Sequence, residues 1–238
     1  MNICIIPARG GSKRIPKKNI KEFNGQPVIA YSIKAALNSG CFDQVVVSTD
    51  DEDIAKIAQS LGASTPFVRP NELSDDHAGT LPVIQHTIQW FESRDIQLEK
   101  ACCLYATAPF VSSKAINESL DQMVDANADY CFSATRFEFP IQRAIKINTN
   151  NRVQMFTPEF YNSRSQDLEE AYHDAGQFYW GNVKTFLDGV DFFSEAATPY
   201  IIPRYLVQDI DTMEDWVRAE AMHRVLMERG LFESSSQD

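Results

Sequence analysis

Ala8-Arg9-Gly10-Gly11-Ser12-Lys13-Arg14-Ile15-Pro16-Lys17-Lys18-Asn19 concentrates the chemistry of this chain. From Arg9 to Lys21 there are six basic residues and no acidic one, in a chain whose net charge is −11. Gly10 and Gly11 permit close backbone approach, and successive N–H groups of such a loop can form an anion-binding nest. The order is neither a Walker A sequence nor the GxGxxG dinucleotide fingerprint. The functional reading is a cradle for a triphosphate. The alternative is a solvated basic turn, although clustered charge and glycine at this point serve no packing purpose. A second motif, Gln208-Asp209-Ile210-Asp211-Thr212, precedes a C-terminal helix. In an extended segment, alternation puts Asp209 and Asp211 on one side and turns Ile210 to the core. Two carboxylates facing a phosphate loop make a hard-oxygen site suited to Mg²⁺. Taken alone, the pair is more often a helix N-terminal acid cluster; beside the phosphate loop the metal reading is the better one. Ser48-Thr49-Asp50-Asp51 reads either as a helix cap at Asp51 or as a third acidic site. Arg69-Pro70 and Asp75-Asp76-His77 lie on a long loop where a base pocket can form, or where Arg69 is plain surface charge.

The elements that position these motifs alternate between short apolar runs and helical periods. Ile3–Ile6 reads as a buried strand, followed by a helix through Val28, Ile29, Ile33, Ala36 and Leu37 that Gly40 closes. Val45–Val47 is the next strand. Asp51–Leu61 is a helix ended by Gly62, and Phe67–Val68 a short strand. Leu81, Ile84, Ile88 and Phe91 mark a third helix, Ala101–Tyr105 a strand, and Ile116, Leu120, Met123 and Val124 a fourth helix capped by Ser113. Tyr130–Thr135 is another strand, and Arg136–Ile147 and Val153–Phe156 have period-two character. Thr157–Gly176 is polar and too long for a plain connection, which suits a lid or a dimer arm. A strand before Gln208 and a helix over Thr212–Arg229, capped by Thr212, close the pattern. Phe178, Tyr179 and Trp180 read as core.

Continuous apolar strands between amphipathic helices predict an α/β fold, a doubly wound, mostly parallel sheet in a three-layer sandwich. Ligands of such sheets bind beyond the carboxyl ends of the strands, which places the chemistry after Ile6, Val47, Tyr105 and Val207. One domain over residues 1–230 is expected, with an arm at about 136–176 and a disordered tail at 231–238. The 238 residues, 44% of them apolar, suffice for a core without staples. With 22 Lys and Arg against 33 Asp and Glu, the charge argues against nucleic acid or an anionic membrane as partner. The five cysteines form no CxxC motif and read as reduced thiols. Met1–Gly11 is too short and too quickly interrupted by Arg9 to read as a signal peptide, so a cytoplasmic location is expected.

ARGGSKRIPKKN, VVVSTDDEDIA, RPNELSDD and QDIDT, in this order from Met1 to about Gly230, resemble the cytidylyltransferases that activate acidic keto-sugars, the CMP-sialic acid and CMP-Kdo synthetases. The resemblance implies a Rossmann-like, glycosyltransferase-A type nucleotidyltransferase fold. YATAPF, FSATRFEFPIQRA and RSQDLEEAYHDAGQFYWG are most similar to the branch that charges pseudaminic acid for flagellin and surface glycans. By resemblance, Arg9, Gly10, Gly11, Ser12, Lys13, Lys18 and Asn19 bind the triphosphate, and Arg69, Ala78 and Thr80 stand near cytosine and ribose. Asp209 and Asp211 match the pair that holds Mg²⁺. The sialic acid enzymes carry Gln where this chain has Tyr105, Lys where it has Gln142, and Arg-Pro-Asn-Gly where it has His173-Asp174-Ala175-Gly176. These departures fall where the sugar is expected, beside Gln177 and Tyr179, and point away from N-acetylneuraminate.

The implied reaction joins CTP to a nine-carbon acidic keto-sugar and releases pyrophosphate, with Lys18, Asp211 and Arg9 as the catalytic set. Arg164, on the arm, is the candidate cation for the sugar carboxylate, and a homodimer would carry it into a neighbour's site. Sister enzymes for N-acylneuraminate, legionaminate or Kdo share the same motifs. A non-catalytic nucleotide-binding protein is the alternative of another class, against which the intact Asp209 and Asp211 pair argues.

Overall fold

The computed structural model describes residues 1–75 and 78–232. Asp76, His77 and the tail from residue 233 lie outside them. The strands are β1 (Asn2–Pro7), β2 (Glu22–Phe23), β3 (Gln26–Pro27), β4 (Gln44–Ser48), β5 (Lys100–Leu104), β6 (Tyr130–Arg136), β7 (Ile145–Ile147), β8 (Val153–Met155), β9 (Tyr172–Asn182) and β10 (Ala197–Ile201). The helices are α1 (Val28–Ser39), α2 (Glu52–Ser60), α3 (Thr80–Glu92), α4 (Ser113–Asp125), α5 (Val183–Asp188) and α6 (Met213–Glu228). Six strands form one sheet in the order β10-β6-β9-β5-β1-β4.

Alternation along the strands sorts the core into two layers. Cys4 and Ile6 of β1 pack with Ile29, Ile33, Ile54 and Ile116 under α1, α2 and α4. Ile3 and Ile5 pack with Ile84, Ile88, Phe91 and Phe186 under α3 and α5. Both faces are covered, which is why these strands read as unbroken apolar runs. Cys4, Cys102, Cys103 and Cys131 are buried free thiols, and burial pushes the Cys131 thiol up to about 12. A third cluster joins α6 to the loops at one end of the sheet through Ile15, Phe23, Tyr31, Phe110, Ile210 and Trp216. No helix among the described residues is long and apolar enough to cross a membrane.

The structure corrects the sequence reading at several points. β9 lies in the middle of the sheet, antiparallel to both β5 and β6; its polar first half hides it from any pattern of buried alternation. Phe67–Val68 is not a strand, and the chain there touches the sheet through a single Val46–Ser64 bridge. The segment after Arg136 turns through a 3₁₀ helix at Ile141–Arg143 before the β7–β8 hairpin. Ser112, not Ser113, caps α4, its hydroxyl accepting the Ala115 N–H at 3.1 Å. The last sheet strand ends at Ile201, and a 3₁₀ turn at Arg204–Leu206 leads to the Asp209 segment. Thr212 does cap α6, in a capping box with Asp215.

Candidate active site

The loop after β1 is held at both ends. The buried Asn19 side chain donates to the Arg9 carbonyl at 2.9 Å, closing Arg9–Asn19 into one unit. Ile15, 1% exposed in the middle of a charged run, plugs that unit into the third core cluster. Lys17 takes a left-handed conformation (φ 51°) and pairs with Asp53 at 2.7 Å. Gly10 has a packing reason for being glycine, because a Cβ there would meet Asp51 Oδ2 at 2.7 Å. Its N–H donates to Asp50 Oδ1 at 2.9 Å. The Gly10 N–H is therefore not free for the anion nest that the sequence suggests; Gly10 seats the loop against the β4–α2 turn. Asp51 caps α2, accepting the N–H groups of Asp53 and Ile54, and Asp50 belongs to the loop's support.

The Gln208–Thr212 segment reaches the same place through the same cluster. Ile210 is 2% exposed and packs with Ile15 and Trp216, while Asp209 and Asp211 stay outside the core. Lys18 Nζ donates to the Ile210 carbonyl at 2.7 Å and lies 3.5 Å from Asp211 Oδ1. Arg14 Nη1 lies 2.9 Å from Asp211 Oδ2. Asp209 stands at the surface beside the cleft; packed loop atoms and the Asp211 charge push its carboxyl above the ordinary range, against the pull of Lys18. Two neighbouring carboxylates, Asp209 held up by packing and by the charge of Asp211, next to a phosphate-sized basic loop, fit a divalent cation. No group of three or more His, Cys, Asp or Glu side chains arranged to hold a metal ion is found among the described residues. The pair therefore suits Mg²⁺, which takes one or two carboxylates and completes its shell with phosphate oxygens and water.

Between these motifs lies a cleft of about 290 Å³, lined by Arg9, Ser12, Lys13, Arg14, Lys18, Asn19, Arg69, Ala78, Thr80, Tyr105 and Asp211 among others. Arg9 Nη1 donates to the Asp75 carbonyl at 2.7 Å across its rim. Arg69 is 4% exposed, and its Nε and Nη2 have no partner. Burial holds its guanidinium below the usual range, partly offset by Asp50. An unpartnered donor edge in a buried guanidinium is costly, and a ligand carbonyl or phosphate in the cleft would satisfy it. The N-terminus of α3, with Gly79 as its cap and no side-chain cap bond, opens onto the same space. Of the expected sugar residues, only Tyr105 lines the cleft, its hydroxyl 3.1 Å from that of Thr80; Tyr179 is buried behind it, the two tyrosine rings 5.5 Å apart.

Four expected sugar residues are used otherwise within this chain. Gln177 is buried and donates to the Leu206 carbonyl at 2.6 Å, tying β9 to the Asp209 segment. Gln142 donates to the Glu169 carbonyl at 2.9 Å inside the arm, and Arg164 pairs with Asp167 at 2.7 Å. His173 is exposed, its ring 4.7 Å from that of Phe137. None of the four lines the cleft. Sequence reasoning did not single out Arg14 from the basic run, and it named Asp50 and Asp174 only within motifs, since the contacts that give them their parts exist only in three dimensions.

A family model described as cytidylyltransferase matches residues 3–217. A pseudaminic acid cytidylyltransferase of Campylobacter jejuni (strain 81-176) is 48% identical over 224 residues, covering 94% of this chain and 97% of that protein. A CMP-N,N'-diacetyllegionaminic acid synthase of Legionella pneumophila is 30% identical over 228 residues, covering 92% and 95%. Among solved structures, a CMP:2-keto-3-deoxy-manno-octonic acid synthetase complexed with CTP aligns with TM-score 0.69 and 16% identity over 94% of this chain and 98% of that one; at that identity the likeness is one of fold.

Proposed function

This chain belongs to the cytidylyltransferase family, and on that premise we propose that it joins CTP to pseudaminic acid, giving CMP-pseudaminic acid and pyrophosphate. The observation that carries the sugar assignment is 48% identity to pseudaminic acid cytidylyltransferases across nearly the whole of both chains. The anomeric hydroxyl of the sugar attacks the α-phosphorus of CTP; the bond from that phosphorus to the bridging oxygen breaks, and the electron pair leaves on pyrophosphate. Such a transfer depends on positioning and charge neutralisation more than on covalent help. Arg9, Lys13 and Lys18 hold the β- and γ-phosphates and offset the charge that develops on the leaving group. Arg69 offers its open donor edge to the nucleotide. Lys18, bridging the Ile210 carbonyl and Asp211, keeps the phosphate loop and the carboxylates in fixed relation. Asp209 and Asp211 would hold Mg²⁺, which when bound neutralises phosphate charge and lowers the pKa of a nearby hydroxyl.

The arm supports a homodimer as part of the same proposal. Ile145, Ile147, Val153 and Phe156 of the β7–β8 hairpin region stand exposed, and a second copy covering them would bring Arg164 and Gln142 toward a neighbouring cleft. A cytoplasmic enzyme supplying activated sugar to surface-glycan transferases follows from this reading. The test is pyrophosphate release from CTP and Mg²⁺ with pseudaminic, N-acetylneuraminic, legionaminic and 3-deoxy-manno-octulosonic acids in parallel. Release with pseudaminic acid is the expected result. Preference for another of the four overturns the sugar while keeping the chemistry, and silence with all four overturns the enzyme reading.

A further inference from the structure

Asp209 stands on a stretch of chain that no sheet ladder holds. β10 ends at Ile201, and among the described residues the N–H groups of Gln208, Asp209 and Ile210 donate to no other backbone group. Two pins fix the stretch instead. Downstream, Ile210 is seated in the third core cluster, and its carbonyl accepts Lys18 Nζ at 2.7 Å. Upstream, the Leu206 carbonyl accepts Gln177 Nε2 at 2.6 Å. The upstream pin spans a gap in the topology. β6 lies between β10 and β9, so no ladder bond can join the chain after β10 to β9 or to the cleft wall beyond it. An irregularity in β9 gives Gln177 that reach, as bulges re-aim the side chains they carry. Phe132 pairs with Tyr179 and Ala134 with Asp174, so that residues 175–178 stand opposite Ser133. The bulge is supported from within. Ser133 Oγ accepts the Gln177 N–H at 3.1 Å, and the Asp174 carboxylate accepts the Gly176 N–H at 2.8 Å together with the Tyr179 hydroxyl.

Gln177 is 4% exposed, and a buried amide side chain costs stability unless it is hydrogen-bonded. Its backbone carbonyl meanwhile accepts the N–H of Tyr105, a residue of the cleft wall, at 2.9 Å. One residue therefore holds both the lead into the carboxylates and a wall of the cleft. We propose that Gln177 is a positioning residue that sets Asp209 at a fixed distance from the Tyr105 wall. The side-chain bond to Leu206 orients the carboxylate stretch, and the backbone bond to Tyr105 ties that stretch to the wall. The inference deepens the proposed function and rests on the cleft being the substrate site.

Gln177→Met is the discriminating variant. It keeps an unbranched side chain of similar size and the backbone bonds to Tyr105 and Ser133, and it removes only the donor to Leu206. In the free protein, hydrogen exchange at Val207, whose N–H donates to the Arg204 carbonyl, should speed up about tenfold, the worth of one hydrogen bond. Exchange in β1 and β5 should stay as in the wild type. In steady-state assays kcat should fall about tenfold, with the dissociation constant of CTP changed by no more than about twofold. In an Asp209→Asn background the same substitution should add nothing to the loss of kcat, because the group it positions is already gone. Exchange that speeds up equally in β1 and β5, or a kcat cost undiminished by Asp209→Asn, overturns the inference and leaves Gln177 as a packing residue. Should the variant not fold, native-state exchange of the wild type decides. The amides of Gln177 and Val207 should open as one unit as denaturant is added, and separate openings overturn the inference. The exchange measurements need no substrate, so an inactive wild type would sink the sugar reading while they still decided the role of Gln177.

Discussion

The nucleotide half of the cleft and the arm between β6 and β9 are built in opposite ways. In the first, two sequence-distant motifs each send one apolar side chain, Ile15 and Ile210, into a single core cluster beneath α6. The polar residues on either side of those anchors are thereby fixed relative to one another, and Lys18 bridges them with a 2.7 Å bond to the Ile210 carbonyl. In the arm, β7 and β8 pair only with each other, and Ile147 and Val153 are 70% and 68% exposed. Phosphate chemistry needs charges preorganised before the substrate arrives, and the sheet and its third cluster provide that within one chain. The arm presents apolar surface that this chain does not bury, and under the proposed homodimer a second copy would cover it.

Variants of the preorganised half should show the largest effects. Asp211→Asn keeps the shape of the Gln208–Thr212 segment but removes one charge from the Arg14, Lys18 and Asp209 cluster. We expect kcat to fall about 10²- to 10³-fold, the cost of losing one charge stabiliser, with the thermal midpoint nearly unchanged. Pyrophosphate release at saturating Mg²⁺ reads the first quantity, and near-normal turnover there would remove Asp211 from the machinery. Ile15→Ala tests whether packing rather than charge sets the loop. It should cost about 2–4 kcal/mol of stability and weaken CTP binding although Ile15 carries no charge. Urea unfolding and calorimetric titration measure the two; lost stability with intact CTP affinity would separate the core from the site.

The same cluster carries a pH signature. His223 is buried against Phe23, Tyr31, Phe110 and Phe232, and burial lowers its pKa from 6.5 to about 4. The unfolded chain therefore binds a proton that the folded chain refuses between those values. The His223 contribution is complete above pH 6.5 and is lost as pH falls through the window toward 4, by about 1.4 kcal/mol per unit at most. Urea midpoints measured from pH 7 to pH 4 should fall accordingly, and His223→Phe should flatten the slope in that window. An unchanged slope in the variant would place the acid sensitivity elsewhere.

How much of this was legible in the sequence follows the same division. β1, β4, β5 and β6 could be read because both of their faces are buried, and the two chemical motifs stood out because basic residues and glycines cluster after β1 and carboxylates alternate before α6. β9 was hidden because its first half, Tyr172–Gln177, is polar and its pairing with β6 is irregular, so neither period applies. The parts played by Asp50 and Asp174, named only within motifs, were hidden for a related reason. Each acts by accepting a hydrogen bond from a partner that only the tertiary fold supplies, Gly10 for Asp50 and Tyr179 for Asp174. Arg164 and Gln142 were legible as arm residues, while their intramolecular partners, Asp167 and Glu169, keep them outside the cleft of their own chain.

The arm gives the smallest expected change in the stability of one chain and the clearest change in assembly. Ile147→Lys replaces an exposed apolar side chain with a charged one on a two-stranded ribbon that shares no ladder with the main sheet. Within one chain such a surface substitution costs no more than about 0.5 kcal/mol. If a second copy covers this ribbon, the buried lysine charge would instead be expelled, and the dimer would dissociate at concentrations where the wild type does not. Sedimentation velocity should then show a slower species for the variant. Turnover should fall with it if the neighbour's Arg164 or Gln142 reaches the cleft, whereas CTP affinity, which the proposed function assigns to Arg9, Lys13, Lys18 and Arg69 of one chain, should hold. A variant that sediments and turns over as the wild type does would show that the exposed ribbon is free surface, and would return the search for the sugar's carboxylate partner to the cleft itself.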